Sequence, residues 1–127
     1  MYFMIKDEND KTICEVGIYS EEGPYKMTNE KYWYHKMYVS FNIETYSNYL
    51  IEHIDRAEEI KNIFTEIQGY VLDLNEGISG DYPERKQYLL NDPEMNESKF
   101  QIIKVTRDRL YSVIEKLGDT GIYINED

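Results

Sequence analysis

The stretch that decides the fold runs from residue 32 to residue 67 and reads YWYHKMYVSFNIETYSNYLIEHIDRAEEIKNIFTEI. In its first part, up to about Ile43, every second residue is apolar or nearly so, which is the spacing of a strand with one buried face. From about residue 47 to residue 67 the apolar residues recur at helical spacing instead. The change of period predicts a strand followed by a long amphipathic helix.

The predicted strand has two different faces, because successive side chains of a strand point to opposite sides. The apolar face carries Trp33, His35, Met37, Val39, Phe41 and Ile43. The other face carries Tyr32, Tyr34, Lys36, Tyr38, Ser40 and Asn42. This pattern is typical of a sheet that is buried on one side and partly wet on the other.

Shorter elements are predicted on both sides of this stretch. Upstream, strands at residues 2–6 and 12–19 flank a polar turn and predict a β-hairpin. Downstream, Gly69 is expected to end the long helix. The chain then continues with a strand at 70–74, a short helix at 83–90, a strand at 100–105, a helix at 107–117 between the cap Thr106 and the stop Gly118, and a last strand at 121–125.

The predicted fold class is α+β, with a single mixed or antiparallel sheet of about five or six strands and two main helices packed on it. A chain of 127 residues suits one domain over residues 1–127. No apolar run approaches the roughly 20 residues that a membrane helix needs. The N-terminus also lacks a signal-peptide layout, so a cytoplasmic location in a bacterial host cell is expected.

The charge balance limits the classes of partner. The chain has 25 acidic and 14 basic residues, which gives a formal net charge of −11. Such a charge repels phosphate backbones and anionic lipid, so direct binding to nucleic acid or to a membrane is not expected. The same charge favours a partner with a basic surface, although it can also simply keep a small protein soluble.

The residues that usually carry catalysis are few. The sequence contains no phosphate-binding glycine loop, no dinucleotide fingerprint and no nucleophile elbow. Cys14 is the single cysteine, which excludes an internal disulfide and the paired-cysteine zinc patterns, and it is interpreted as a buried structural thiol. His35 and His53 fall on apolar faces and are interpreted as structural; the alternative is that they meet Cys14 around a metal. The sequence therefore predicts a protein that is not an enzyme and has no cofactor or metal.

One candidate surface is an acidic ridge on the long helix, opposite its apolar stripe. The ridge consists of Glu52, Asp55, Glu59 and Glu66, which a regular helix would place within about 80° of one another. A row of carboxylates can stand in for phosphates in front of a basic groove. Arg56 and Lys61 partly neutralise the ridge, so a solvated helix face is the alternative interpretation.

A second candidate surface is a tyrosine row on the wet face of the predicted strand. It consists of Tyr32, Tyr34 and Tyr38, continued by Tyr46 and Tyr49 just beyond the strand. Tyrosine is favoured at the centres of protein interfaces because it adds a large contact area and a hydroxyl at its tip. The alternative is that a helix covers these side chains.

Small size, strong acidity, 13 tyrosines and the absence of catalytic motifs resemble the general character of two kinds of inhibitor. One kind is the phage-encoded anti-CRISPR and anti-restriction proteins, and the other is the immunity proteins that neutralise bacterial toxins. The leading hypothesis is an inhibitor that uses the ridge and the row to occlude a basic nucleic-acid-binding or catalytic surface of a larger protein.

A small-molecule binder is the alternative, with a nucleotide-like ligand held in a cationic pocket. The candidate ligand-binding residues are Tyr82, Arg85, Lys86, Arg107 and Arg109. Arg107 and Arg109 are expected at the start of a helix, where free backbone amides could assist in binding an anion.

Overall fold

The structure, a computed structural model, describes residues 1–23, 32–79, 88–89 and 92–127. The strands are β1 (Tyr2–Lys6), β2 (Thr12–Glu22), β3 (Tyr32–Phe41), β4 (Tyr88–Leu89) and β5 (Tyr123–Glu126). The helices are α1 (Ile43–Glu52), α2 (Ala57–Ser79) and α3 (Pro93–Ile114), with 3₁₀ turns at Ile54–Arg56 and Glu115–Thr120.

The five strands form one antiparallel sheet in the order β4-β3-β2-β1-β5. The central strand is β2, in which Val16 lies opposite Phe3 of β1 and Val39 of β3. On the far side of β1, Ile5 pairs with Ile124 of β5. The predicted α+β class with a single sheet is therefore confirmed.

One face of the sheet packs against the helices and forms the core. Its side chains are no more than 2% exposed at Phe3, Ile5, Cys14, Val16, Ile18, His35 and Met37. The helices contribute the buried residues Ile60, Phe64, Ile67, Leu110 and Leu117. The opposite face, called the outer face below, carries mostly exposed or half-buried side chains. The two-sided strand predicted from the alternating sequence is present.

The helix predicted over residues 47–67 is two helices. α1 begins earlier because the side chain of Asn42 accepts a hydrogen bond from the backbone N–H of Thr45 at 3.0 Å. That amide is one of the free donors at a helix N-terminus, so Asn42 caps α1. The backbone leaves the helical conformation at His53, with φ −123° and ψ 45°, and α2 begins at Ala57.

Gly69 does not end the second helix, and the strand predicted over 70–74 is helical. A glycine inside a helix costs about 1 kcal/mol relative to alanine, which does not by itself stop the helix. Val71 is buried and Leu74 is half-buried, as expected for neighbours on one helical face. The apolar run is therefore part of the core-facing stripe of α2.

The strand predicted over 100–105 and the helix predicted after it both belong to α3. The cap of α3 is Asp92, whose side chain accepts from the N–H of Glu94 at 2.9 Å, and Pro93 occupies the first turn. Thr106, predicted as a cap, lies inside the helix and is fully buried. The buried residues of α3 recur at helical spacing: Met95, Ile102, Thr106, Leu110, Val113 and Ile114.

The end of α3 also differs from the prediction. The chain passes Gly118 in a 3₁₀ turn, and the left-handed residue is Gly121, with φ 82°. A side chain at Gly121 would place its Cβ 2.8 Å from the Cβ of Glu8, so glycine is required there for space as well as for backbone conformation. The strand predicted over 121–125 is present as β5.

The short helix predicted over 83–90 is mostly outside the described residues. Residues 88 and 89, which are described, form β4 and pair with Trp33 and Tyr32 of β3. At those two positions the helix prediction is wrong, and the sheet gains a short edge strand.

The part of β3 beyond β4 is covered by a side chain of α2. The Oδ1 atom of Asn75 accepts from the N–H of Met37 at 2.8 Å, and its Nδ2 atom donates to the Met37 carbonyl at 2.8 Å. These are the two hydrogen bonds that a neighbouring strand would make. Asn75 therefore closes the sheet edge at a point that β4 does not reach.

His35 is buried on the core face and both of its ring nitrogens have partners. Its Nε2–H donates to the carbonyl oxygen of Met95 at 3.0 Å, and its Nδ1 accepts from the hydroxyl of Ser20 at 3.0 Å. A carbonyl can only accept, so Nε2 carries a proton, and in the neutral ring Nδ1 is then free to accept from Ser20. Burial lowers the pKa of His35 below its usual value of 6.5.

Stability is expected to fall as the pH is lowered below about 6.5, where histidine of the unfolded chain takes up a proton. Because the pKa of His35 is lowered in the folded chain, its contribution is present above that pH and is lost below it. Below that pH, the free energy of unfolding is expected to fall by up to about 1.4 kcal/mol per pH unit. Urea unfolding between pH 5 and pH 7.5 should show this slope, and it should be reduced in the His35→Gln variant. An equal slope in the variant would contradict the assignment.

Candidate functional site

A cluster of aromatic side chains lies on the outer face of the sheet. The cluster, called the tyrosine patch, consists of Tyr2 on β1, Tyr19 on β2 and Tyr38 on β3. The ring centroid of Tyr38 is 6.5 Å from that of Tyr2 and 6.0 Å from that of Tyr19, in tilted or edge-on arrangements. These are the distances at which aromatic rings attract one another.

The tyrosine patch depends on Gly17, which the sheet register places between Tyr2 and Tyr38. A Cβ atom built on Gly17 would lie 2.1 Å from Cε1 of Tyr38. The Tyr38 ring therefore lies across the backbone of Gly17, and any larger residue would displace it.

Carboxylates accept hydrogen bonds from two of the tyrosine hydroxyls on the outer face. Glu15 accepts from the Tyr38 hydroxyl at 3.0 Å, and Glu21 accepts from the Tyr34 hydroxyl at 2.7 Å. Burial and then the hydrogen bond to Glu15 raise the pKa of Tyr38 to about 12. Tyr38 is consequently neutral at physiological pH, and Glu15 orients its hydroxyl.

The tyrosine row predicted from the sequence corresponds only partly to this patch. Tyr38 is half-buried within it, whereas Tyr34 is 8% exposed. Tyr32 lies in β3, and its side chain is outside the described residues. Tyr46 packs on Phe41 and Phe64, and Tyr49 is buried, so both belong to the core side.

Two members of the patch, Tyr2 and Tyr19, were not among the predicted site residues. Each lies in a predicted strand, but only the pairing of the three strands places them beside Tyr38. A sequence signal existed in the hairpin, because alternation puts Tyr19 on the same face as Gly17.

The predicted acidic ridge does not lie on one regular helix. Glu52 ends α1, Asp55 lies in the 3₁₀ turn, and Glu59 and Glu66 are on α2. The break at His53 changes the helix path, so the regular angular spacing assumed for a single helix does not apply. The four carboxylates are divided among three elements.

An arginine neutralises Glu59. Arg56 donates to both carboxylate oxygens of Glu59, at 3.0 and 3.1 Å, and to both of Asp119, at 2.6 and 2.7 Å. These hydrogen bonds lower the pKa of the Glu59 and Asp119 carboxyls. The network ties α2 to the turn that follows α3.

Glu66 is also paired. Arg109 donates to it at 2.7 Å, and the Lys116 ammonium lies 4.0 Å from it. Within the described residues, no cation lies at ion-pair distance from Glu52 or Asp55. Glu52 and Asp55, two of the four residues of the predicted ridge, therefore keep an uncompensated negative charge.

The arginines of the alternative ligand site are not at a helix start. Arg107 and Arg109 lie well inside α3, whose first turn is at Pro93, so their neighbouring backbone amides are used within the helix. Arg107 donates to Glu126 at 2.6 Å, and Arg109 is paired with Glu66. This part of the prediction is wrong because the strand predicted before them is helical.

The remaining residues of that site, Tyr82, Arg85 and Lys86, lie outside the described residues. The described part of the chain pairs both Arg107 and Arg109 with carboxylates. It therefore offers no observation that favours a nucleotide-like ligand.

The next candidates are the potential metal ligands Cys14, His35 and His53. Cys14 is fully buried, and burial raises the pKa of its thiol to about 12. In the described ranges, Cys14, His35 and His53 do not form a three-ligand group; the group found is Glu8, Glu52 and His53, with ligand atoms within 4.8 Å of one another. Both carboxylates are exposed, and exposed acidic groups are common without an ion. No metal role is assigned to this group.

The contact between Ser20 and His35 resembles the serine–histidine pair of a hydrolase triad, but its surroundings do not suit catalysis. The ring is 2% exposed, and Nε2 donates to a main-chain carbonyl where a triad would have a carboxylate. Its lowered pKa also makes the ring a weak base. The pair is a satisfied core interaction.

No helix within the described ranges combines the length and the apolar character needed to cross a lipid bilayer. Comparison of the chain with protein-family models, with curated proteins and with solved structures finds no match.

Proposed function

We propose that this protein is a non-enzymatic binding protein of the bacterial cytoplasm that occludes a basic surface of a larger protein. The observation that supports the proposal is the tyrosine patch on the outer face of the sheet. An outer face of an antiparallel sheet is normally polar, because water covers it. Here three tyrosines from three strands share that face, and Tyr2 is 43% exposed.

The chemistry of the patch suits the centre of a protein interface. Each ring adds a large contact area and loses little conformational entropy on binding, because tyrosine has few rotatable bonds. The contacts of Tyr38 with Tyr2, Tyr19 and Glu15 fix its ring before any partner arrives. Such preorganisation lowers the entropic cost of association.

The charge of the molecule indicates the sign of the partner surface. The lysines near the patch are matched locally, with Lys6 at 3.2 Å from Asp10 and Lys36 at 3.8 Å from Glu21. The formal net charge of −11 therefore dominates at longer range and favours a basic partner. Nucleic-acid-handling enzymes and nuclease toxins carry such surfaces, in keeping with an inhibitor of the anti-CRISPR, anti-restriction or immunity type.

The test begins with capture of a basic protein from bacterial lysate on the immobilised chain at low salt. The affinity of the purified partner is then measured for the Tyr2→Ala/Tyr38→Ala double variant. We expect a loss of about tenfold or more, because an aromatic side chain at an interface centre commonly contributes about 2 kcal/mol or more. Binding should also weaken as sodium chloride is raised.

The matched control is Phe100→Ala, which removes an aromatic side chain that is 62% exposed on α3. It should leave the affinity unchanged within about twofold. Equal affinity of the double variant and the unchanged chain, with both folded by circular dichroism, would exclude the tyrosine patch as the binding surface. Failure to capture any basic protein would exclude the proposed partner class.

A further inference from the structure

The second surface of interest is the free edge of β5. The sheet order ends at β5, which pairs with β1 on one side only. Among the described residues, none pairs with its other side. An edge strand presents backbone N–H and C=O groups that can pair with another chain.

The hydrogen-bond pattern shows which groups are free. Next to β5, Tyr2 and Asp127 exchange both backbone hydrogen bonds, at 3.0 and 3.4 Å. In an antiparallel ladder, hydrogen-bonded pairs alternate with pairs that are not bonded to each other. Phe3 and Glu126 are therefore a pair of the second kind, as are Ile5 and Ile124. The N–H and C=O groups of Ile124 and Glu126 point away from β1.

A groove of about 600 Å³ lies along this edge, between β5 and the C-terminal half of α3. Its apolar lining includes Ile122 and Ile124 on the strand side, and Tyr111 and Ile114 on the helix side. Tyr111 is 44% exposed, so the groove is open to solvent. Free backbone groups and an apolar groove beside them are the two features that β-strand addition requires.

The groove is also held in shape at one end. Arg107 and Tyr111 of α3 both donate to the carboxylate of Glu126, at 2.6 and 3.2 Å. These contacts join the end of β5 to α3 across the groove. A segment that enters therefore meets a site that is already formed.

The negative charge around the groove favours a basic occupant over a second copy of the chain. Asp108 and Glu115 line it, both are exposed, and neither has an ion-pair partner within the described residues. A second copy of the chain would bring the same carboxylates together and would carry another net charge of −11. A basic segment is attracted both by the carboxylates of Asp108 and Glu115 and by the net negative charge of the chain.

We infer that the free edge of β5 binds an extended, lysine- or arginine-bearing segment of a partner protein as an additional strand. The main chain of that segment pairs with Ile124 and Glu126. On the side of the added strand that faces α3, its apolar side chains enter the groove and its cations face Asp108 and Glu115. This inference goes beyond the proposed function, because it concerns a different surface and does not depend on the tyrosine patch.

The probe is the acetylated and amidated peptide Lys-Lys-Val-Val-Lys-Lys-Val-Val, which carries both lysine and valine on each face of an extended strand. Backbone amide exchange is followed by NMR on the intact protein. At saturating peptide, the Ile124 and Glu126 amides should exchange about tenfold more slowly, because they become hydrogen-bonded. The Asn125 amide, which already faces β1, should not change. A matched peptide with glutamate in place of lysine should bind at least about tenfold more weakly.

Two variants at Glu126 distinguish the contribution of its backbone N–H from that of its side chain. Glu126→Ala and Glu126→Pro both lose the carboxylate contacts with α3, but only the proline also removes the N–H on the free edge. The ladder with β1 does not use that N–H, so both variants should fold. The proline variant should bind the lysine peptide about tenfold more weakly than the alanine variant, the loss expected for one hydrogen bond.

Several results would overturn the inference. These are unchanged exchange at Ile124 and Glu126, equal binding by the two Glu126 variants, or equal binding of the lysine and glutamate peptides. Protection of the same amides without peptide, rising with protein concentration, would assign the edge to a second copy of the chain instead. None of these results bears on the tyrosine patch.

Discussion

Replacing Phe64 with alanine is expected to lower the free energy of unfolding by about 3–5 kcal/mol, the range measured for buried phenylalanines. Phe64 is 1% exposed. Its ring meets those of Phe41 and Tyr46 edge-on, with centroids 5.7 and 5.3 Å apart. The substitution removes these aromatic contacts and leaves a cavity between α2 and the sheet. For a domain of this size, such a loss is a large part of the total stability.

Urea denaturation followed by circular dichroism gives the measurement. Phe100→Ala is the control, since the same chemical change at a position that is 62% exposed should alter stability by less than about 0.5 kcal/mol. If Phe64→Ala cost as little as the control, α2 would not pack on the sheet in the way described.

Replacing Asn75 with alanine is expected to cost about 2–3 kcal/mol, because it leaves the N–H and the C=O of Met37 without their partners. These two hydrogen bonds, both of 2.8 Å, are what closes the edge of β3. The side chain that is lost is small, so the expected cost comes from unsatisfied polar groups and not from lost apolar contact. Backbone amide exchange at Met37 should accelerate in the variant.

Two further substitutions make this prediction specific. Asn62→Ala changes an exposed asparagine of the same helix and should be neutral or slightly stabilising, since alanine favours a helix. Asn75→Asp keeps an acceptor for the Met37 N–H but loses the donor, which only a protonated carboxyl restores. The loss of stability in the Asn75→Asp variant should therefore become smaller as the pH is lowered toward 4. A neutral effect of Asn75→Ala would show that water replaces the side chain at no cost.

The sequence predicts the first three strands better than it predicts the chain that follows the long helix. Alternation along β3 and the polar turn between β1 and β2 are local signals, and both elements are found where they are expected. Residues 70–74 and 100–105 are short apolar runs, and periodicity alone does not separate a strand from a segment of buried helix in such runs. In both cases the helix is fixed by contacts with residues far away in sequence.

The candidate site shows the same limit. Tyr38 is recognisable from its place on the wet face of a strand. Its contact with Tyr2 requires the register of three strands, which no local pattern specifies. The residues of the acidic ridge are divided among three elements because His53 leaves the helical conformation, and neither a proline nor a glycine marks that position.

The order of the sheet has a consequence for the newly synthesised chain. β1 lies between β2 and β5, so its second side is completed by a strand that follows all the other described strands and helices in the chain. Until β5 has been synthesised and has paired, β1 has a neighbouring strand only on the β2 side. Because pairing of β1 with β5 closes a very long loop, we expect this part of the sheet to form late in folding.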